Sequence, residues 1–241
     1  MRIEALADAD AVARASAAFT AGEARAAVAA RGRFILAVSG GHTPWRMLRV
    51  LADERMPWSD VHIVQVDERV APAGHPDRNL TYLRESLLAH CPLRPENIHA
   101  MPVESADLDS ASGEYAVTLQ QIAGTPAVLD LAHLGLGPDG HTASLVPGDP
   151  VLEVTDADVA LTGPYQGRRR MTLTYPILNR ARRIVWLVTG QEKAEMLARL
   201  CETDRSIPAG RVSQHQAVVL ADHEAAAGLG REPSRQEPSR R

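Results

Sequence analysis

Short aliphatic runs without polar alternation recur along this chain, each followed by a helical pattern, and that order restricts the fold more than any other feature. Phe34-Ile-Leu-Ala-Val38 is apolar on both faces, so a strand here belongs inside a sheet covered on two sides. Residues 61–66, 129–134, 183–188 and 217–220 repeat the signal. The spacing between them predicts helices over 79–89, 106–122 and 191–202, with a short one from Asp222. Pro44 opens another, because a proline in a first helical turn loses no needed N–H. An alanine-rich stretch over 8–30 reads as a helix interrupted or bent at Gly22. Weaker strand signals fall at 97–101, 158–162 and 171–174. Alternating strands and helices predict an α/β fold: a single doubly wound domain whose mostly parallel sheet is flanked by helices.

Composition narrows the classes of function. Of 241 residues 45% are hydrophobic but only 4% aromatic, so the core is built from Ala, Val, Leu and Ile. A formal charge of -4, with only Arg168-Arg169-Arg170 locally basic, argues against nucleic acid as a partner. Cys91 and Cys201 have neither a disulfide-framework nor a metal-site spacing. No run is apolar and long enough to span a bilayer, and acidic residues stand where a signal peptide has its apolar centre, so a cytoplasmic location is expected. Without an internal repeat or a linker, residues 1–229 are expected to form one domain. The Pro-, Ser- and charge-rich stretch 230–241 is expected to be a disordered tail.

Three segments carry candidate chemistry. Ser39-Gly40-Gly41-His42-Thr43-Pro44 lies between a buried strand and a helix start. Its glycines allow close backbone approach, and free helix amides with the Ser39 or Thr43 hydroxyl suit a phosphate; a tight turn needing glycine explains the same residues. The spacing matches neither the dinucleotide fingerprint nor the nucleotide-triphosphate loop. Asp67-Glu68-Arg69 ends a strand: Arg69 can clamp an anion while Asp67 or Glu68 holds it, or the three form a solvated charged loop.

The sharpest segment is Leu134-Gly-Leu-Gly-Pro-Asp139-Gly-His141-Thr-Ala-Ser-Leu-Val-Pro-Gly148. A carboxylate two residues before an imidazole can fix its tautomer and leave the second nitrogen to take a proton from water. His133, flanked by Ala132 and Leu134, reads as structural, and Ser144 as a neighbour of His141 on a short helix. No nucleophilic-serine elbow and no metal-ligand spacing is present, so neither a metal nor a cofactor is expected. Arg168–Arg170 precede a strand, and Lys193 sits in a first helical turn, where it opposes the helix dipole unless an anion lies there; a plain surface lysine is the alternative.

Together, Ser39-Gly-Gly-His-Thr-Pro44, Val66-Asp-Glu-Arg69, Gly135–Gly148, Arg170-Met-Thr-Leu-Thr174 and Gly190-Gln-Glu-Lys193 resemble the 6-phosphogluconolactonase family, in order and through nearly the whole chain. The resemblance implies a fold related to glucosamine-6-phosphate deaminases and ribose-5-phosphate isomerases. It also implies hydrolysis of 6-phospho-D-glucono-1,5-lactone in the oxidative pentose phosphate pathway. His141 and Asp139 would be catalytic. Ser39, Gly40, Gly41, Thr43, Arg69, Arg170 and Lys193 would surround a small phosphorylated sugar lactone, with Arg170 and Lys193 as the better phosphate ligands. The partner is then a small molecule, not a membrane or nucleic acid, and the protein a monomer or small homo-oligomer. Thr142-Ala-Ser-Leu-Val-Pro-Gly148 lacks the glutamate that the deaminase branch carries after its histidine turn. Departures from the family pattern are Ala71 before Pro72, Arg78 where a serine is frequent, and Gly163-Pro-Tyr-Gln-Gly-Arg168 in place of a proline-rich approach to Arg170. The readings left open are an amino-sugar phosphate deaminase or isomerase and a non-catalytic sugar-phosphate-binding protein.

Overall fold

In the computed structural model, which describes residues 1–229, the aliphatic runs become the interior of a parallel sheet. The strands among the described residues are Arg2–Leu6 (β1), Phe34–Val38 (β2), Val61–Gln65 (β3), Asp67–Arg69 (β4), Ile98–His99 (β5), Leu131–Gly135 (β6), Val159–Leu161 (β7), Arg170–Leu173 (β8), Arg183–Val188 (β9) and Ala217–Asp222 (β10). The α-helices are Ala9–Arg31 (α1), His42–Ala52 (α2), Asn79–Leu83 (α3), Leu108–Ala123 (α4), Tyr175–Arg180 (α5), Ala194–Cys201 (α6) and His223–Ala226 (α7). Seven strands form the main sheet in the order β1-β10-β9-β6-β2-β3-β5, every pair parallel. This is the expected α/β architecture.

Successive residues of each strand face opposite layers. Phe34, Leu36 and Val38 of β2, with Val185 and Leu187 of β9, pack under α1 and α2. Ile35 and Ala37, with Trp186 and Val188, face the layer of α4, α5 and α6. Burying each large aliphatic or aromatic side chain contributes roughly 1.5–3 kcal/mol. That is why both-face apolar runs, and not alternating ones, mark the central strands.

α1 corrects the sequence reading: it runs unbroken through Gly22 for 23 residues. Asp8 caps its start by accepting the Ala11 N–H at 2.7 Å, and the Gly32 amide closes its end on Val28 O. Ala13, Ala17, Ala21 and Ala24 form a buried stripe that lets the helix lie close to its neighbours, and this burial overrides the propensity cost of one glycine. The segment 79–89 also differs from a plain helix: α3 widens into a π-helical turn over Arg84–Leu88. The helix expected over 191–202 opens as a 3-10 turn, Gln191–Lys193, and Lys193 becomes the N-cap of α6.

A second, antiparallel sheet in the order β4-β8-β7 was not anticipated. Asp67-Glu-Arg69, expected to end the strand before it or to form a solvated charged loop, is instead a separate strand paired with β8, and its two carboxylates are buried. β1 was also missed; its residues are mostly exposed, and its place is set by pairing with β10, Ile3 beside Val219. The expectation for residues 230–241 lies outside the described residues.

The topology fixes where a ligand can enter. From β2 the chain proceeds through α2 to β3 on one side, whereas from β6 it passes on to β9 on the other. β2 and β6 are neighbours, so the segments leaving them diverge and open a crevice at the carboxyl ends of the strands.

Candidate active site

A cleft of about 360 Å³ occupies that crevice, within the range of small-molecule sites. All nine residues expected at the site converge on it except Asp139: Ser39, Gly40, Gly41, Thr43, Arg69, His141, Arg170 and Lys193 line the cleft, and Asp139 stands behind His141.

The β6 turn holds the imidazole through its backbone. Gly137 N–H donates to His141 O at 2.8 Å, Gly140 N–H to Gly137 O at 3.0 Å, and Ala209 N–H ties Gly140 O to the following segment at 2.9 Å. Gly137 is required by space: a Cβ there would overlap the His141 ring and the Asp139 carboxylate. Asp139 Oδ1 receives both the His141 backbone N–H, at 3.1 Å, and the ring Nδ1, at 2.5 Å. An Nδ1–H directed at the carboxylate leaves the Nε2 lone pair for the cleft, and Nε2 has no partner among the described residues. Partial burial pushes the Asp139 carboxyl up, but the His141 charge, two hydrogen bonds from His141 and one from Tyr165 outweigh it and hold the group below its ordinary value. Asp139 therefore stays ionised at neutral pH.

Ser144 corrects the short-helix reading. It lies in a turn closed by the Thr142–Leu145 bridge, fully buried, and its hydroxyl donates to Asp67 Oδ2 at 2.6 Å and not toward His141.

β4 and β8 place two guanidinium groups side by side, because Arg69 and Arg170 are register partners. Arg170 is 4% exposed; its Nη1 donates to Ser144 Oγ at 3.4 Å and its Nη2 to Gln166 Oε1 at 3.3 Å. Arg69 Nη1 donates to Asp77 O at 2.8 Å, and the Nε atoms of both arginines are buried without a partner among the described residues. Desolvation lowers the Arg170 pKa from its ordinary value, the Asp67 charge works against it, and the neighbouring Arg69 adds to it. A buried, incompletely paired cation is costly unless an anion joins it.

Glu68 does not hold the Arg69 guanidinium, as one sequence reading had it; it organises the backbone. Fully buried, it accepts the N–H groups of Arg69, Asn79 and Leu80, each at 2.8 Å, and Gln65 Nε2 at 2.9 Å, and it pairs with Arg78 Nε at 3.1 Å. Arg78 thus supplies a countercharge to Glu68, two residues 2% and 0% exposed. Asn79 Nδ2 donates to Asp67 O at 3.0 Å, and its amide packs so closely on Gly40 that a Cβ there would overlap it.

The glycine loop after β2 supplies amides more than hydroxyls. Trp45 N–H makes the first intrahelical bond of α2, to Gly41 O, so the His42 and Thr43 amides are left for a ligand. The Ser39 hydroxyl donates to His133 O at 2.7 Å, and Thr43 Oγ1 shares a proton with Thr189 Oγ1 at 2.6 Å. Ser39 therefore has no hydroxyl proton left for a phosphate. On the far strand, Asp222 accepts Gly190 N–H on both carboxylate oxygens, at 3.1 and 3.0 Å, and caps α7 through Ala225 N–H at 2.8 Å. This pins the turn that presents Lys193. Burial lowers the Lys193 pKa, opposed by the charges of Glu192 and Asp139.

Residues 7–220 match the family described as glucosamine-6-phosphate isomerases/6-phosphogluconolactonase. The chain belongs to this family. It is 39% identical over 178 residues to the 6-phosphogluconolactonase of Synechocystis sp., covering 72% of this chain and 74% of that one. It is 36% identical over 241 residues to the 6-phosphogluconolactonase of Mycobacterium tuberculosis, covering 94% and 98%. Its fold superposes on the crystal structure of the 6-phosphogluconolactonase of Thermotoga maritima with a TM-score of 0.82 at 25% identity, over 92% of this chain and 98% of that one.

Within this glucosamine-6-phosphate isomerase/6-phosphogluconolactonase family member, several cleft residues escaped sequence reasoning. Asn79, Thr189 and Glu192 line the cleft, and Tyr165 touches Asp139. Tyr165-Gln-Gly-Arg168 carried a turn signature directly before Arg170, and Glu192 lay inside the Gly190–Lys193 motif without a role of its own; Thr189 had no local sign. Among the described residues no group of three His, Cys, Asp or Glu side chains is arranged to hold a metal, and no helix is long and apolar enough to cross a membrane.

Proposed function

We propose that this protein hydrolyses 6-phospho-D-glucono-1,5-lactone to 6-phospho-D-gluconate in the oxidative pentose phosphate pathway. The observation that carries the reading is the 2.5 Å contact between His141 Nδ1 and Asp139, with the opposite nitrogen unpartnered in a cleft that also holds Arg69, Arg170 and Lys193. The relatives named above, both 6-phosphogluconolactonases, support the substrate class.

His141 Nε2 takes a proton from water as the water oxygen bonds to the lactone carbonyl carbon. The carbonyl π electrons move to oxygen, where glycine-loop amides or a cationic side chain offset the charge. When the carbonyl re-forms, the bond to the ring oxygen breaks and His141 returns its proton there. The open-chain aldonate keeps its phosphate. Arg170 and Lys193 hold that phosphate away from the carbonyl, so binding energy fixes the reacting centre against His141.

The segment after His141 favours a lactonase over a deaminase of the same family. Residues 142–148 contain no carboxylate; Ala143 is the one of them that lines the cleft, and the buried Ser144 hydroxyl is engaged by Asp67. A pH-stat assay on freshly generated lactone, corrected for spontaneous opening, tests the reading. His141→Ala should lower turnover by roughly 100-fold or more with an unchanged circular dichroism spectrum. Near-normal turnover in that variant removes His141 from the chemistry. Ammonia release from glucosamine-6-phosphate without lactone opening transfers the protein to the deaminase branch.

A further inference from the structure

The segment between β7 and β8 is a two-residue hairpin whose tip reaches two parts of the cleft at once. Tyr165 and Arg168 exchange backbone hydrogen bonds, N–H to O at 2.9 and 3.2 Å. Gln166 and Gly167 between them both have positive φ, 50° and 78°, the conformation of the tight turn that matches strand twist. The Tyr165 hydroxyl donates to Asp139 Oδ2 at 3.1 Å, the oxygen that His141 leaves free. The same ring meets the His141 ring edge-on, centroids 5.6 Å apart, and carries the Arg170 guanidinium 4.9 Å from its centre. Gln166 Oε1 accepts from Arg170 Nη2 at 3.3 Å. The hairpin is braced from outside: Arg168 Nε donates to Asp77 Oδ2 at 2.8 Å, and its Nη2 lies 3.2 Å from His75 Nε2.

We infer that Tyr165 is a positioning residue for both halves of the site: its hydroxyl fixes the rotation of the Asp139 carboxylate toward His141, and its ring seats Arg170. The inference rests on the hydrolytic role of Asp139 and His141 proposed above. A carboxylate held at one oxygen can turn about its Cβ–Cγ bond; held at both, it presents Oδ1 to Nδ1 in a single orientation. The phenol also draws charge from the carboxylate and tempers the pull of Asp139 on the imidazole proton. The groups facing this cluster are His141 and Tyr165 on Asp139, with the Lys193 charge acting from the β9 side, and Asp139 and Arg170 on Tyr165. Burial, then the Asp139 charge, pushes the phenol's pKa up, so it remains a donor at neutral pH. The ring contributes separately, because a guanidinium over an aromatic face is attracted whether or not the ring carries a hydroxyl.

Two substitutions separate these roles. Tyr165→Phe removes the hydroxyl and keeps the ring; Tyr165→Leu removes both. With the phosphorylated lactone, Tyr165→Phe should lower kcat roughly 3- to 10-fold with KM unchanged, the scale of one hydrogen bond. Tyr165→Leu should add a rise in KM of about 2- to 5-fold through Arg170. In parallel, nitrogen NMR of the His141 ring should show a single Nδ1–H tautomer in wild type and a mixture with the Nε2–H tautomer in Tyr165→Phe. An unchanged kcat in Tyr165→Phe, or an unchanged ring tautomer, overturns the inference. If the wild-type protein fails to open the lactone, the functional reading falls, while the ring tautomer still decides the Tyr165–Asp139 link. Tyr165→Phe is conservative enough to serve alone should the leucine variant not fold.

Discussion

Lys193 and Arg170 face the same cleft with different surroundings, and that difference predicts what each does. Arg170 is ordered by Ser144, Gln166 and the Tyr165 ring before any ligand arrives. Lys193 makes no ion pair among the described residues, and partial burial lowers its pKa, so an incoming dianion is the partner it lacks. Lys193→Ala should therefore lower kcat/KM for the phosphorylated lactone roughly 10- to 100-fold, the scale of a lost charge-assisted bond. The unphosphorylated gluconolactone should be hydrolysed by the variant and the wild type at similar kcat/KM. Equal losses on both substrates would take Lys193 away from the phosphate. The histidine turn was legible at this scale because spacing two residues apart is local chemistry. The Ser144–Asp67 bond was not, since it joins residues 77 apart in sequence.

Among the elements, α1 shows how burial outweighs a local preference. Gly22 sits mid-helix, half-buried, with open space where a Cβ would project. Replacing it with alanine limits the unfolded chain's freedom without crowding the folded one. Gly22→Ala should stabilise the protein by about 0.5–1 kcal/mol, read as a higher urea midpoint at unchanged slope. A lower midpoint would mean that the helix needs the glycine for its path. The central strands and most helices were readable because their periodicity reports burial directly. β1 and β4 were not: one is mostly exposed, and the other is charged throughout. Their strand character comes from the edges they pair with.

Across the whole molecule, one buried histidine couples stability to pH. His133 lies beneath the β2–β6 junction, fully buried, and desolvation pushes its pKa down to about 3. Its Nδ1 faces the Ser39 N–H at 3.4 Å, and its Nε2 is unpartnered among the described residues. The folded pKa lies below the unfolded value near 6.5, so below pH 6.5 the unfolded chain binds a proton that the folded chain refuses. Stability therefore falls as pH drops from 6.5 toward 3, by about 2 kcal/mol at pH 5 from this group alone. Urea unfolding at pH 7 and pH 5 measures that loss, and His133→Leu should remove most of it. An undiminished loss in the variant would assign the acid sensitivity to other groups.

The sequence by itself determined the parallel sheet, the order of its main elements, and the Asp139–His141 pair. Both-face apolar runs have no stable place outside a covered sheet, and a two-residue spacing in a glycine turn is set by local geometry. Only the tertiary structure decided that Asp67-Glu-Arg69 is a separate antiparallel strand, that Glu68 serves backbone amides and Arg78, and that Tyr165 reaches Asp139. Those features depend on burial and on contacts between residues far apart in the chain, and a polar residue's partner is fixed by where the packed elements leave it.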